Sequence, residues 1–108
     1  MRRGEVWTSA GPGYASKPRP VVIVQDDRFD ATASVTVALL TTDRTELPLF
    51  RIPVEPAQIN GLQKPSSVMA DKIMIVRRDQ LGERVGRLTD EDMVRLNRAL
   101  VVFLGIAG

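Results

Sequence analysis

Neither cysteine nor histidine occurs anywhere in the 108-residue chain. The first absence removes disulfides, thiolate nucleophiles and zinc–thiolate sites. The second removes Ser-His-Asp hydrolases, histidine metal sites and two-histidine ribonucleases. Any catalysis therefore falls to Arg, Lys, Asp, Glu, Ser, Thr or Tyr. Aromatic residues make up only 5% of the sequence, little material for the stacking platforms with which OB and RRM domains hold bases. No apolar run approaches the ~20 residues that span a bilayer. Met1-Arg2-Arg3 leads straight into Gly4-Glu5-Val6-Trp7 with no signal-peptide core, so a cytoplasmic protein with no membrane association is expected.

Hydrophobic residues at 44% and charged residues at 26% are close to the globular average. A chain of this length has room for one domain, taken as residues 1–108. Fifteen Lys and Arg against 13 Asp and Glu leave a formal charge of +2, a weak pointer to a polyanionic ligand.

Pro and Gly fall between short apolar runs, and no repeat or low-complexity tract interrupts them. Glu5-Val6-Trp7-Thr8 reads as a strand. Ser9 to Pro18 reads as a Gly/Pro-rich loop, and the β-branched run Pro20 to Gln25 as a buried central strand. Val35 to Leu40 is the next strand, ending at Thr41-Thr42-Asp43-Arg44. Arg51-Ile52-Pro53-Val54 alternates but carries a proline, which favours a sheet edge. Asn60-Gly61 signals a turn, Ser67 to Val76 supplies one or two strands, and Glu83 to Arg87 the last. Thr89-Asp90-Glu91-Asp92 sets a capping hydroxyl and three carboxylates at a helix start. Met93, Leu96, Leu100, Phe103 and Leu104 then form one apolar face, and Gly105 closes it. Many short strands followed by one helix imply a small, strongly curved antiparallel sheet, partly closed into a barrel, with a packed helix.

The candidate chemistry begins with Lys17-Pro18-Arg19-Pro20, where two prolines hold an arginine extended at the mouth of a strand. Its planar donor fork suits phosphate oxygens; pairing with a carboxylate is the alternative. Thr41 and Thr42 end an apolar strand, where a hydroxyl can donate to an anion or merely satisfy the backbone. Asp71-Lys72 interrupts apolar runs and fits a salt bridge or a solvated bend. Arg77, Arg78, Arg84 and Arg87 can follow a nucleic-acid backbone or form a solvated face with Asp79 and Glu83.

Read in order, R-G-E-V-W from Arg3, K-P-R-P-V-V-I-V-Q-D-D from Lys17 and V-A-L-L-T-T from Val37 resemble the MazF/PemK toxin family. So do Asn60-Gly61-Leu62, Ser67 to Ile73, Asp79-Gln80-Leu81 and Gly86-Arg87-Leu88-Thr89, in the family's order and over nearly the whole chain. The resemblance implies an SH3-like, strongly twisted antiparallel barrel with a C-terminal helix (CcdB/MazF-like). It implies a homodimer, with contact expected through the final helix and the strand near Val68. It implies the toxin of a type II toxin-antitoxin system, a metal-independent, cofactor-free, sequence-selective endoribonuclease of single-stranded RNA. The family's catalytic arginine maps onto Arg19 and its threonine onto Thr41, with Thr42 in reserve. Lys17, Ser67, Asp71, Lys72 and Arg84 are the further substrate-contact candidates. Lys72 departs from the family, whose members carry Gln or another polar residue after the acidic one. The implied products are a 2′,3′-cyclic phosphate and a 5′-hydroxyl. The implied partner is an antitoxin whose disordered acidic tail lies across a basic groove containing Lys17, Arg19 and Arg84. Two other readings share the fold. CcdB-like gyrase poisons act through a C-terminal Trp-Gly-Ile, but here the tail is Leu104-Gly105-Ile106-Ala107-Gly108. A non-catalytic SH3-like binding module is the second.

Overall fold

A computed structural model describes residues 1–10 and 17–106. Its strands are β1 (Glu5–Ser9), β2 (Arg19–Ile23), β3 (Ser34–Thr41), β4 (Arg51–Val54), β5 (Ser66–Arg77) and β6 (Leu81–Arg87), followed by the helix α1 (Asp90–Phe103). They form one sheet in the order β4-β5-β3-β2-β1-β6, and every neighbouring pair is antiparallel. Of the loop expected between Ser9 and Pro18, residues 11–16 lie outside the described residues.

The β-branched run predicted as a central strand is one: Val21, Val22 and Ile23 are buried with apolar neighbours on both faces. It stops at Ile23 rather than Gln25 because the Gln25 side chain closes the following turn. Its Oε1 accepts the Thr36 amide at 2.9 Å and its Nε2 donates to the Phe29 carbonyl at 2.9 Å. β4 is an edge strand, as Pro53 required.

The segment read as one or two strands is a single 12-residue strand, β5, serving both β3 and β4. Between Leu39–Met69 and Ala38–Ile73 the register skips, and Ala70, Asp71 and Lys72 oppose no β3 residue. A bulge of this kind bends a strand and increases its twist, which lets the β4 end of the sheet curl round. The curl brings Ile59-Asn60-Gly61 against β6, where the Ile59 carbonyl accepts the Arg87 amide at 2.9 Å. Only glycines permit this approach: a Cβ on Gly86 would strike the Ile59 and Asn60 backbone, and one on Gly61 the Val85 carbonyl. Buried Asn60 fixes the turn, its Oδ1 accepting the Ala57 and Leu62 amides and its Nδ2 donating to the Glu55 carbonyl.

α1 starts where the sequence indicated, with the Thr89 hydroxyl accepting the Asp92 amide at 3.1 Å. At its end Gly105 has φ 73°. Its amide donates to the Val102 carbonyl, and that of Ile106 donates to the Val101 carbonyl, a glycine-closed Schellman end. The helix packs on β4 and β5. Leu96, Ala99 and Leu100 join Val6, Val22, Ala38, Val68 and Leu88 in one core cluster. A second cluster, built on Val21, Ile23, Val35, Val37, Val76 and Leu81, lies on the sheet face turned from the helix. The expected apolar face of α1 is only partly buried: Phe103 is 48% and Leu104 57% exposed. Both lie at the helix end, beyond the turns whose Leu96, Ala99 and Leu100 are covered.

Candidate active site

The register of the sheet lines up the predicted residues. Ser9 pairs with Arg19 on one side and Leu81 on the other. Ser67 pairs with Thr41 on one side and Pro53 on the other. The β2–β3 ladder pairs Ile23 with Val37 and Val21 with Leu39, where it ends; the same register continued by two residues would set Arg19 opposite Thr41. On that continuation Pro53, Ser67 and Thr41 fall in one row with Arg19, Ser9 and Leu81. At a strand spacing of ~4.8 Å, Arg19 would lie about 5 Å from Thr41 and about 10 Å from Ser67 along that row.

Strand alternation puts both side chains on one face. Arg19 follows Val21 and Ile23, and Thr41 follows Val37 and Leu39, all of the second cluster. The Arg19 side chain is exposed. Among the described residues it makes no ion pair or hydrogen bond, so the carboxylate partner that was the alternative for it is not there. Lys17, two residues earlier, is also exposed.

The half-buried Thr41 accepts the Asp43 amide on its Oγ1 at 3.1 Å. That bond uses a lone pair and leaves the hydroxyl proton free to donate. Thr42 sits exposed in the bend that follows. Asp43 Oδ1 is itself taken up by the Thr45 hydroxyl at 2.7 Å and amide at 2.9 Å. Those two bonds hold its carboxyl below the ordinary value of 3.8, with Arg51 adding a smaller pull against slight desolvation. A carboxylate so engaged is a poor proton acceptor.

The remaining candidates divide. Asp71, in the bulge, pairs with Arg51 of β4 rather than with Lys72, at 3.4 Å and with both side chains largely buried. Arg51 Nε and Asp71 Oδ1 are buried without partners among the described residues. Lys72 is exposed. Arg84 is not brought to the row. It sits opposite Trp7 on β6, and its Nε donates to Glu5 Oε2 at 2.9 Å. Burial works to raise the Glu5 carboxyl, but the Arg2 amide, the Trp7 indole and Arg84 together hold it below 4.5. Among the described residues no group of three or more acidic side chains is placed to hold a metal ion.

Sequence reasoning passed over a cleft of about 710 Å³ at the β4 edge, between α1 and the segment after β3. Arg44, Arg51, Arg95 and Arg98 line it with Glu46 and Ser67. Arg19 and Thr41 do not line it, but Ser67 and Pro53 of the row do. Only the three-residue spacing of Arg95 and Arg98, which puts them on one helix face, marked it locally.

Residues 2–104 match the family described as PemK-like, MazF-like toxin of type II toxin-antitoxin system. The chain is 60% identical over 109 residues to a probable endoribonuclease MazF of Mycolicibacterium smegmatis, covering all of both. Among solved structures it is similar to a mycobacterial endoribonuclease in complex with its cognate antitoxin, with a TM-score of 0.84 and 31% identity over 100% of this chain and 98% of that one. It is also similar to the Mycobacterium tuberculosis toxin MazF-mt6, with a TM-score of 0.81 and 26% identity over 96% and 99%.

Proposed function

Because the chain belongs to the PemK-like, MazF-like toxins of type II toxin-antitoxin systems and is an endoribonuclease, we propose that it cuts single-stranded RNA between Arg19 and Thr41, with the RNA's own 2′-hydroxyl as nucleophile and no metal. The observation that carries this reading is an exposed arginine, unpaired among the described residues, that stands two residues beyond Val21 on β2, as Thr41 stands two beyond the paired Leu39 on β3.

O2′ attacks the adjacent phosphorus as the P–O5′ bond breaks, giving a 2′,3′-cyclic phosphate and a 5′-hydroxyl. Arg19 stays protonated at any physiological pH, so its role is charge: it neutralises the phosphorane, while Thr41 donates to a non-bridging oxygen. The 2′ proton leaves to solvent, to which the exposed Arg19 is open, and solvent returns a proton to the departing O5′. Preorganised donors of this kind are each worth roughly 3–4 kcal/mol of barrier. With no His or Cys in the chain, incubation of the purified protein with long single-stranded RNA in excess EDTA should still give cyclic-phosphate ends. Complete loss of cleavage, restored by adding metal, would overturn the metal-free reading.

We read residues 1–108 as one such domain, sequence-selective, cytoplasmic and paired as a homodimer. No helix among the described residues is long and apolar enough to cross a membrane. The dimer surface falls to the end of α1. Val102, Phe103, Leu104 and Ile106 are 52%, 48%, 57% and 71% exposed, and the Phe103 ring leans on Phe50 with centroids 5.7 Å apart. Contiguous apolar side chains of this kind mark interfaces. Of the strand near Val68, expected to contribute, Val68 itself is fully buried. Sedimentation should show a dimer at micromolar concentration and a monomer for Phe103→Asp; a wild-type monomer would contradict the assignment.

The partner is an antitoxin with a disordered acidic tail, as cognate antitoxin binding in the mycobacterial relative suggests. Lys17 and Arg19 can attract such a tail, whereas Arg84 is already engaged by Glu5. Adding the tail peptide should slow RNA cleavage, less so as salt rises; binding with no inhibition would separate the two sites.

A further inference from the structure

We propose that the arginine cleft at the β4 edge is a second RNA subsite, gripping backbone phosphates of the substrate strand about 15 Å from the scissile bond; this rests on the placement of cleavage at Arg19 and Thr41. The distance is three strand steps of ~4.8 Å along the row from Arg19 to Pro53, about the rise of four stacked nucleotides at ~3.4 Å each.

The lining chemistry selects a polyanion. Four arginines converge from three places, Arg44 after β3, Arg51 on β4 and Arg95 and Arg98 on α1, with Glu46 the one acid among the described lining residues and Glu55, Asp71 and Asp92 pairing three of the arginines from outside it. Guanidinium forks match phosphate oxygens two at a time. Arg98 is exposed and makes no ion pair or hydrogen bond among the described residues. Arg95 is held in place, donating to Asp92 at 2.7 Å and to the Pro53 carbonyl at 3.2 Å. Arg44 takes Glu55 at 3.3 Å, both side chains being substantially exposed, so this pair can open to a better anion. Arg51 is already paired with Asp71 at 3.4 Å and is largely buried, so it adds positive charge to the wall rather than a free donor. A volume of about 710 Å³ suits a nucleotide rather than a lone ion.

Position favours the substrate strand over an acidic peptide. Ser67 and Pro53 belong both to the row and to the cleft, and Arg44 is three residues beyond Thr41. Ser67 is itself buried, so a strand leaving Thr41 reaches the cleft along the exposed residues Thr42, Asp43 and Arg44 at the sheet edge rather than over the row. Among the described residues no aromatic side chain lines it, so these offer no stacking surface for bases. It raises affinity for longer RNA without selecting sequence.

The test compares kcat/KM for a short RNA confined to the scissile bond with that for the same sequence extended by about six nucleotides on either side, using Arg98→Glu and the milder Arg98→Gln, both checked by thermal melting. The wild type should favour the extended RNA. Arg98→Glu should cut that preference about tenfold through KM, and Arg98→Gln less. The salt slope on the extended RNA should fall by about 0.7 for each phosphate that the variant no longer holds. An unchanged length preference in a folded variant overturns the subsite, as does an equal loss on both RNAs. A variant that keeps its RNA preference but binds polyglutamate more weakly makes the cleft a peptide surface instead. Arg19→Lys separates the two ideas. It should depress cleavage of both lengths, and if it does not while the Arg98 length effect stands, the cleavage centre is misplaced and the cleft is not.

Discussion

An RNA with one 2′-deoxy substitution at the scissile nucleotide should resist this protein by at least ~10³-fold, while the same substitution one nucleotide away should matter far less. The expectation follows from what surrounds Thr41. A protein nucleophile there needs a neighbouring base, and the carboxylate two residues on, Asp43, already has Oδ1 bonded to the Thr45 hydroxyl and amide. The Thr41 oxygen itself accepts the Asp43 amide, which orients it to donate a proton rather than to attack. That leaves the substrate's own hydroxyl, and removing it deletes the nucleophile. At ~1.4 kcal/mol per tenfold, the loss corresponds to at least about 4 kcal/mol of barrier. Equal cutting of the deoxy substrate, with a linear phosphate end, would mean that water or a side chain attacks, and the roles given to Arg19 and Thr41 would need recasting.

What could be read in advance, and what could not, divides along local and non-local lines. The α1 start depends on Thr89 and the carboxylates after it, and β4's edge position on Pro53; these are local rules, and the structure obeys them. β2 and β3 are fixed by apolar runs rich in β-branched residues, Val21 to Ile23 and Val35 to Leu40. β5 is different, because Asp71-Lys72 looks like a break between two strands. Pairing with β3 on one side and β4 on the other carries the chain through it as a bulge, a tertiary effect no window of sequence contains. The partner of Asp71 was equally hidden. The adjacent Lys72 was the obvious candidate, but Arg51, twenty residues back, arrives only because β4 pairs with β5. The exposure of Phe103 and Leu104 has the same origin, since periodicity says which side of a helix is apolar but not where the sheet beneath it ends.

The site itself was half legible. Pro18-Arg19-Pro20 announces a held arginine, and Thr41 announces a strand end, but how close β2 brings the one to the other on β3 depends on a register, Val21 with Leu39, visible only in the fold. Arg84, grouped with Lys17 and Arg19 in the expected basic groove, is instead taken up by Glu5, which comes beside it from β1. The arginine cleft was illegible for the same reason, its side chains being drawn from a loop, a strand and a helix more than fifty positions apart.

Arg19→Lys should reduce kcat/KM on RNA by about 10²–10³-fold while leaving fold and dimer unchanged, the range found when one preorganised donor is removed from a developing oxyanion. Lysine keeps the positive charge but loses the planar fork, so a site that holds two phosphate oxygens at once fails and a site that needs only charge does not. Stability offers no competing explanation. Arg19 is exposed and without an ion pair among the described residues, so the substitution should move folding free energy by less than about 0.5 kcal/mol. Thr41→Val is the companion, but it is not silent for stability. It removes the acceptor of the Asp43 amide, at a cost of about 0.5–1.5 kcal/mol, and the thermal shift must be measured beside the rate. Thr41→Ser restores the hydroxyl and should recover most activity, which a purely structural Thr41 would not require. Thr42→Val, in the exposed bend, should remain close to wild type. If Arg19→Lys or Thr41→Val cleaves RNA at near-normal rates with the fold intact, that residue loses its catalytic role. Should it be Thr41 that fails while Thr42→Val is inactive, the donating hydroxyl belongs to Thr42, and the phosphate sits one residue further along the strand end.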